Sequence, residues 1–245
     1  MLPTPLYLDL ATWPRREAHA YFRDFDKPFF NVCTRVDVTR LKAAAKRAAG
    51  GSFSLACHRI ALQLANDIES FRYRIEDTPG DGRPGSSAEP RVRIHPSLRA
   101  GLTVLRDDDS FGFAYLEPHA RYADFAAQGA AALAAARNPQ ALFDPRLDDV
   151  AVIHFTTLPW IHFTSFSHAR NWRREGRATD SIPKIAFGRV DAEVTAESSA
   201  NRSGQRLWMP LSVEVHHALM DGLHVGRYVQ AFEAAMQTPE PFLDL

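Results

Sequence analysis

The chain has 245 residues, 45% of them hydrophobic, which is enough to bury one substantial core. Its 29 Lys and Arg residues balance 29 Asp and Glu residues, so there is no basic excess to hold a phosphate backbone, which argues against nucleic acid as a partner. No apolar stretch approaches the ~20 residues of a membrane span, the first five residues lack the basic and apolar regions of a signal peptide, and only two cysteines occur, Cys33 and Cys57, neither with metal-ligand spacing. These features lead us to expect a cytoplasmic protein with no disulfide scaffold.

In chain order, residues 15–25 predict a first helix, and 29–38 a strand with Phe30, Val32, Thr34 and Val36 on one parity. Thr39 is expected to cap a short helix through Lys46, which Gly50-Gly51 ends, and Ser52 to open another with Phe53, Ala56, Ile60, Leu64 and Ile68 near one face. Short strands over 71–75 and 91–94 flank a Gly/Pro/Ser loop at 77–90. A hairpin over 103–105 and 112–117 turns at the solvated acidic run 107–110, and a helix follows over 122–137, where the alanines between 130 and 136 favour helix formation. Strands are expected at 150–155, 160–166, 185–189 and 207–215, with a polar stretch at 191–203 joining the last two. No repeat or linker divides the chain. The expectation is a single α/β domain over 1–245, an α+β two-layer arrangement with a mixed β-sheet flanked by helices.

The chemistry concentrates at His216-His217-Ala218-Leu219-Met220-Asp221-Gly222. Leu211, Val213 and Val215 alternate with Ser212 and Glu214 as in a half-buried strand, and His217 continues the apolar parity, so it points toward the interior or a cleft while His216 points the other way. Leu223, Val225, Val229 and Phe232 then recur on one face of a helix. An imidazole at the inward end of a strand is partly desolvated, which favours the neutral form that acts as a base near pH 7. The same residues also fit a core histidine with both nitrogens satisfied and an aspartate serving only as an N-cap. His-x-x-x-Asp-Gly occurs in several acyltransferase groups, so it indicates a reaction class and no substrate.

Three segments carry a more specific resemblance. Residues 209–227, Met-Pro-Leu-Ser-Val-Glu-Val-His-His-Ala-Leu-Met-Asp-Gly-Leu-His-Val-Gly-Arg, resemble the signature of the trimeric, catalytic-histidine chloramphenicol acetyltransferase family. Residues 158–166, Leu-Pro-Trp-Ile-His-Phe-Thr-Ser-Phe, are similar to that family's Pro-Trp-x-x-Phe-x-Ser-Phe segment, and Trp13-Pro14-Arg15-Arg16-Glu17 resembles its N-terminal Trp-x-Arg-(Arg/Lys)-Glu run. The resemblance implies a homotrimer with sites between subunits. It also implies acetyl transfer from acetyl-CoA to a hydroxyl of chloramphenicol or a similar small hydrophobic acceptor, with no tightly bound cofactor or metal.

By the same resemblance His217 is the general base, its tautomer held partly by its own main-chain carbonyl, and Asp221 forms a buried ion pair with Arg15. Thr156 stands where the family has an oxyanion-binding serine, and it equally fits a strand threonine. Trp160 and Arg189 would meet coenzyme A, Arg189 near a phosphate, although a surface arginine without a ligand fits as well. Phe22, Phe25 and Phe29, with Tyr21 and Phe30, offer an apolar wall for an aromatic acceptor, or are ordinary core aromatics. Two departures stand out: Ala186 replaces a water-holding threonine, and His168 replaces an apolar acceptor-pocket residue, which makes the pocket more polar and speaks against chloramphenicol itself as the preferred alcohol. Residues 77–90 and 191–203 read as insertions. The alternatives are a CoA-dependent acyltransferase for another acceptor, or a catalytically weak relative that sequesters a small hydrophobic compound.

Overall fold

A computed structural model describes residues 5–77, 90–146, 149–170, 180–193 and 205–245. Its larger sheet runs β2 (Phe29–Asp37), β10 (Arg206–His216), β8 (Lys184–Phe187), β7 (Val152–Thr157), β5 (Arg99–Leu105) and β6 (Phe111–Leu116), with β9 (Asp191–Glu193) pairing the start of β10. β5, β7 and β8 are mutually parallel, and the other pairings are antiparallel, so the sheet is mixed. A smaller sheet orders β1 (Leu6–Tyr7), β4 (Pro90–Ile94) and β3 (Tyr73–Asp77).

Helices α2 (Thr39–Ala45), α3 (Phe53–Asp67), α4 (Tyr122–Arg137) and α5 (Gly222–Gln237) close one core with the larger sheet, into which Leu102, Phe155, Phe187, Leu211, Val213 and Val215 are buried. Ser52 caps α3 as expected, accepting from Leu55 N, and α4 spans the range read from its composition. The helix at the N-terminus, α1 (Arg16–Phe22), stops three residues short of 25: Arg23 N–H makes the last helical bond, to the His19 carbonyl, and Phe25 N–H returns only three residues, to the Phe22 carbonyl. Thr39 does not cap α2: it is the first helical residue, and Asp37 Oδ1 accepts from its N–H and its hydroxyl. Phe71 lies in a 3₁₀ turn, Glu69–Arg72, so β3 starts two residues later than the apolar run.

Two corrections shape the site. Residues 160–166 are not a strand. The last ladder bond there is Leu158 N–H to the Phe187 carbonyl, and Pro159, which has no N–H to continue the pairing, turns the chain off the sheet, with Ile161 N–H returning to the Leu158 carbonyl. The described parts of the parallel β7–β8 connection, 158–170 and 180–183, therefore form neither helix nor strand. Gly188 is needed where that connection presses in: a methyl there would stand 2.8 Å from Pro210 Cγ and 3.0 Å from the Ile161 carbonyl. Second, β10 is not half-buried. Flanked by β2 and β8, it buries both faces, so Ser212, Glu214 and His216 are interior rather than solvent-facing.

Of the two expected insertions, the first joins Asp77 to Pro90, which pair with each other, and its residues 78–89 lie outside the described residues. The second begins as strand β9 instead of a polar loop, and residues 194–204 also lie outside them. Arg74 of β3 is 1% exposed and donates to the carbonyls of Phe71, Tyr73, Val150 and Val152, tying the smaller sheet to the start of the central strand β7 of the larger.

Candidate active site

The end of β10 is a turn. His217 N–H donates to the Pro28 carbonyl at 2.7 Å, and Leu219 and Met220 N–H return to the His216 carbonyl. The half-buried imidazole of His217 lies flat on Phe22, with centroids 3.8 Å apart and planes within 6°, and meets Phe30 at 4.8 Å. Its Nδ1 is buried without a hydrogen-bond partner. The expected hold through its own carbonyl is not seen: that carbonyl accepts from Arg15 Nη2 at 3.3 Å.

Asp221 does two things at once. It N-caps α5, accepting from Leu223 N–H at 3.0 Å and from His224 Nδ1 at 2.8 Å, and it pairs with Arg15. The pair is half-buried, not buried, with side chains 18% and 33% exposed, because a cap sits where a helix emerges from the fold. Burial favours the neutral carboxyl of Asp221, but the His224 hydrogen bond and the Arg15 charge outweigh it and hold the group below its usual range.

One turn after Arg15, buried His19 donates through Nδ1 to the Ala218 carbonyl at 3.1 Å; burial lowers its pKa and keeps it neutral. The sequence reading missed His19, although its i, i+4 spacing from Arg15 puts both on one helix face and was there to be read.

The aromatic wall divides. Tyr21, Phe22 and Phe25 pack on one another within 5.2 Å beside His217. Phe29 does not join them: as Phe30's strand neighbour it faces the other side of the sheet, edge-on to His216 and under the Arg170 guanidinium at 4.4 Å.

On that other side lie Thr156 and Ala186, directly opposite each other, with Ala186 in turn opposite Ser212. Ala186 is fully buried, and the Thr156 hydroxyl has no hydrogen-bond partner among the described residues. Thr156 is thus five residues up β10 from His217 and two strands across, about 16 Å along the strand direction. One chain does not bring them together.

His168 is held near them through its backbone, its N–H donating to Glu214 Oε2 at 3.0 Å; its ring is buried, with Nδ1 3.6 Å from the same carboxylate oxygen and Nε2 without a partner, and burial lowers its pKa. Glu214 also accepts from Arg170 Nε at 2.7 Å. Burial would raise the Glu214 pKa, but the His168 side chain and N–H, together with the Arg170 guanidinium, bring it down to about 2. Neither Arg170 nor Glu214 carried a sequence signal, since they are 44 residues apart on unlike elements.

Trp160 and Arg189 do come together. Arg189 donates to the Trp160 carbonyl at 3.3 Å and forks onto Asp191 at 2.8 and 3.2 Å. Arg189 lines a cleft of about 290 Å³ with Phe53, Cys57, Phe187 and Met209, and Trp160 lines a neighbouring cleft of about 190 Å³. Both clefts share Ser54, Thr157 and Pro159. Neither is lined by His217 or Thr156, whose side chain faces away from that of Thr157. Among the described residues no group of His, Cys, Asp and Glu is arranged to hold a metal ion, and no helix is long and apolar enough to cross a membrane.

The sequence model of the family described as chloramphenicol acetyltransferase matches residues 6–233. A chloramphenicol acetyltransferase of Streptomyces acrimycini is 29% identical over 247 residues, covering 97% of each chain. Chloramphenicol acetyltransferase 3 of Escherichia coli is 24% identical over 230 residues, covering 92% of this chain and 93% of that one. Among solved structures, a chloramphenicol acetyltransferase superposes with a TM-score of 0.74 at 23% identity, over 98% of this chain and 100% of that one. The cubic core of the pyruvate dehydrogenase multienzyme complex does so at 0.62 and 15% identity, over 99% and 94%, a likeness of fold.

Proposed function

The chain belongs to the chloramphenicol acetyltransferase family and is an acyltransferase, and from that premise we propose that it moves an acetyl group from acetyl-CoA to a hydroxyl of chloramphenicol or a similar small hydrophobic acceptor, with His217 as the general base. The observation that carries this reading is the hold on His217. Phe22 covers one ring face and Nδ1 is buried, so Nε2, which has no hydrogen-bond partner, is the edge presented to an incoming hydroxyl.

Nε2 takes the hydroxyl proton as the oxygen attacks the acetyl carbonyl. The Thr156 hydroxyl donates to the oxyanion of the tetrahedral intermediate, and collapse expels the CoA thiolate, which recovers the proton from the imidazolium. Arg15 and Asp221 fix the turn bearing the base. The paired clefts edged by Trp160 and Arg189 suit the nucleotide and pantetheine parts of acetyl-CoA, Arg189 offering its charge to a phosphate. Phe22 and Phe25 supply apolar surface for the acceptor.

Because His217 and Thr156 are far apart within one chain, the reading places each site between copies, in a homotrimer. A larger sheet whose strands run from β2 to β10 and a match spanning 6–233 support one acyltransferase domain. Two free thiols, Cys33 and Cys57, suit a reducing cytoplasm. His168, buried with its Nε2 unpartnered, favours as a second reading an acceptor other than chloramphenicol that carries its own polar group there. Ala186, fully buried and without a hydroxyl, is the one observation that favours a slow, sequestering relative.

Thiol release from acetyl-CoA, with and without chloramphenicol, tests the reading. His217→Ala should lower turnover roughly 10²- to 10⁴-fold, and Thr156→Ala about a hundredfold, with Thr156→Ser largely retained. Co-assembly of the His217→Ala and Thr156→Ala chains should restore activity that neither has alone. Release with other alcohols but never chloramphenicol points to the other acceptor, and tight binding without release to sequestration.

A further inference from the structure

On the sheet face opposite His217, the crossover between β7 and β8 inserts Arg170, whose side chain is 3% exposed. Every donor nitrogen of its guanidinium is engaged. Nε donates to Glu214 Oε1 at 2.7 Å, Nη2 to the Glu214 carbonyl at 3.3 Å, and Nη1 to the Ile182 carbonyl at 2.6 Å and to Asp180 Oδ1 at 3.4 Å. The guanidinium plane also covers Phe29 at 4.4 Å.

These contacts converge on the backbone that carries His217. Glu214 is three residues before it on β10. Phe29 is the residue opposite His216 and follows Pro28, whose carbonyl holds the His217 N–H. One guanidinium thus fixes both strands from which the His217 turn departs. Arg15 grips the same turn from the helix side, through the His217 carbonyl.

We propose that Arg170, with Glu214 as its counter-ion, is a positioning residue for acyl transfer: it sets where the His217 imidazole stands. It touches neither substrate nor reacting atoms. The proposal rests on the reading of His217 as the base, and the geometry behind it is independent of which alcohol is acetylated. A buried, fully hydrogen-bonded pair can serve stability alone, so the test must separate the two roles.

Arg170→Met alone strands the Glu214 carboxylate and can fail to fold. Arg170→Met with Glu214→Gln removes both charges and keeps an amide oxygen for the His168 N–H. Loss of a buried pair as a pair is often neutral for stability, so the double variant should melt within about 5 °C of the unchanged protein. Its kcat should nevertheless fall roughly 10- to 100-fold, the scale of an ångström's misplacement, with the KM for acetyl-CoA altered less than about twofold. Arg170→Lys, which keeps the charge and loses the fork, should fall between.

A stable double variant with unchanged kcat overturns the proposal. So does a crystal structure of that variant in which His217 still lies flat on Phe22 at the same spacing, whereas a displaced ring supports it. The crystallographic arm does not need turnover: absence of thiol release by the unchanged protein defeats the acetyltransferase reading and leaves the displacement to decide the positioning role.

Discussion

Two arginines hold the end of β10 from opposite faces of the sheet, and each donates through Nη2 to a β10-end carbonyl at 3.3 Å, Arg15 to that of His217 and Arg170 to that of Glu214. Their surroundings differ. Arg15 pairs with a carboxylate that also caps a helix, both partly in water, and its Nε has no partner. Arg170 and Glu214 are 3% and 5% exposed, and all three kinds of guanidinium nitrogen are satisfied. The comparison separates two uses of one residue type. A half-exposed pair gains little from charge and serves geometry, whereas a buried pair is kept by the cost of leaving either partner alone.

The sharpest way to break that contrast is to remove one carboxylate at a time. Glu214→Ala should cost about 3–5 kcal/mol of unfolding free energy, because the Arg170 charge is left buried; a urea midpoint equal to that of the unchanged protein would mean the inner pair is no different from the outer.

Acid should act on the buried groups, the inner pair's Glu214 among them. Burial holds His58 at about 4 and His95 and His216 at about 3, so from pH 6.5 downward the unfolded chain binds protons that the folded chain refuses. Each contributes stability that is complete above 6.5 and declines by about 1.4 kcal/mol per pH unit below it until its folded pKa is reached. Glu214, lowered from 4.5 to about 2, adds stability that is present above 4.5 and lost as pH falls toward 2. Urea midpoints measured between pH 7 and 4 should therefore fall steadily, and His216→Asn should flatten the slope.

The smallest effect on folding is expected at the outer pair. Asp221→Ala removes a helix cap worth about 1 kcal/mol, yet it should depress thiol release more than stability, since the His217 turn loses its anchor. A thermal shift as large as that of Glu214→Ala would erase the distinction.

Much of this could be read from the chain. The polar cap at Ser52 and the alanine-rich run of α4 gave elements whose bounds held, because local propensity and apolar spacing agreed. The His217, Asp221 and Arg15 trio was legible through its spacing and its likeness to a known signature. The alternation at 160–166 misled because an apolar rhythm does not reveal whether a neighbouring strand offers partners, and Pro159 had already ended the ladder. β10 looked half-buried for a related reason: Ser212, Glu214 and His216 are polar, and only their long-range partners Asn31 and Arg170 make them interior. No pattern in one dimension places Arg170 against Glu214.

Arg74 has a consequence for how the molecule opens. Its guanidinium joins a turn and a strand of the smaller sheet to the carbonyls at and just before the start of β7, so pulling those sheets apart would leave a cation and several carbonyls unsatisfied together. The seam should behave as one cooperative unit: amide hydrogens of β3 and of the first residues of β7 should exchange with solvent at matching rates, and a methionine at 74 should let the smaller sheet exchange ahead of the rest.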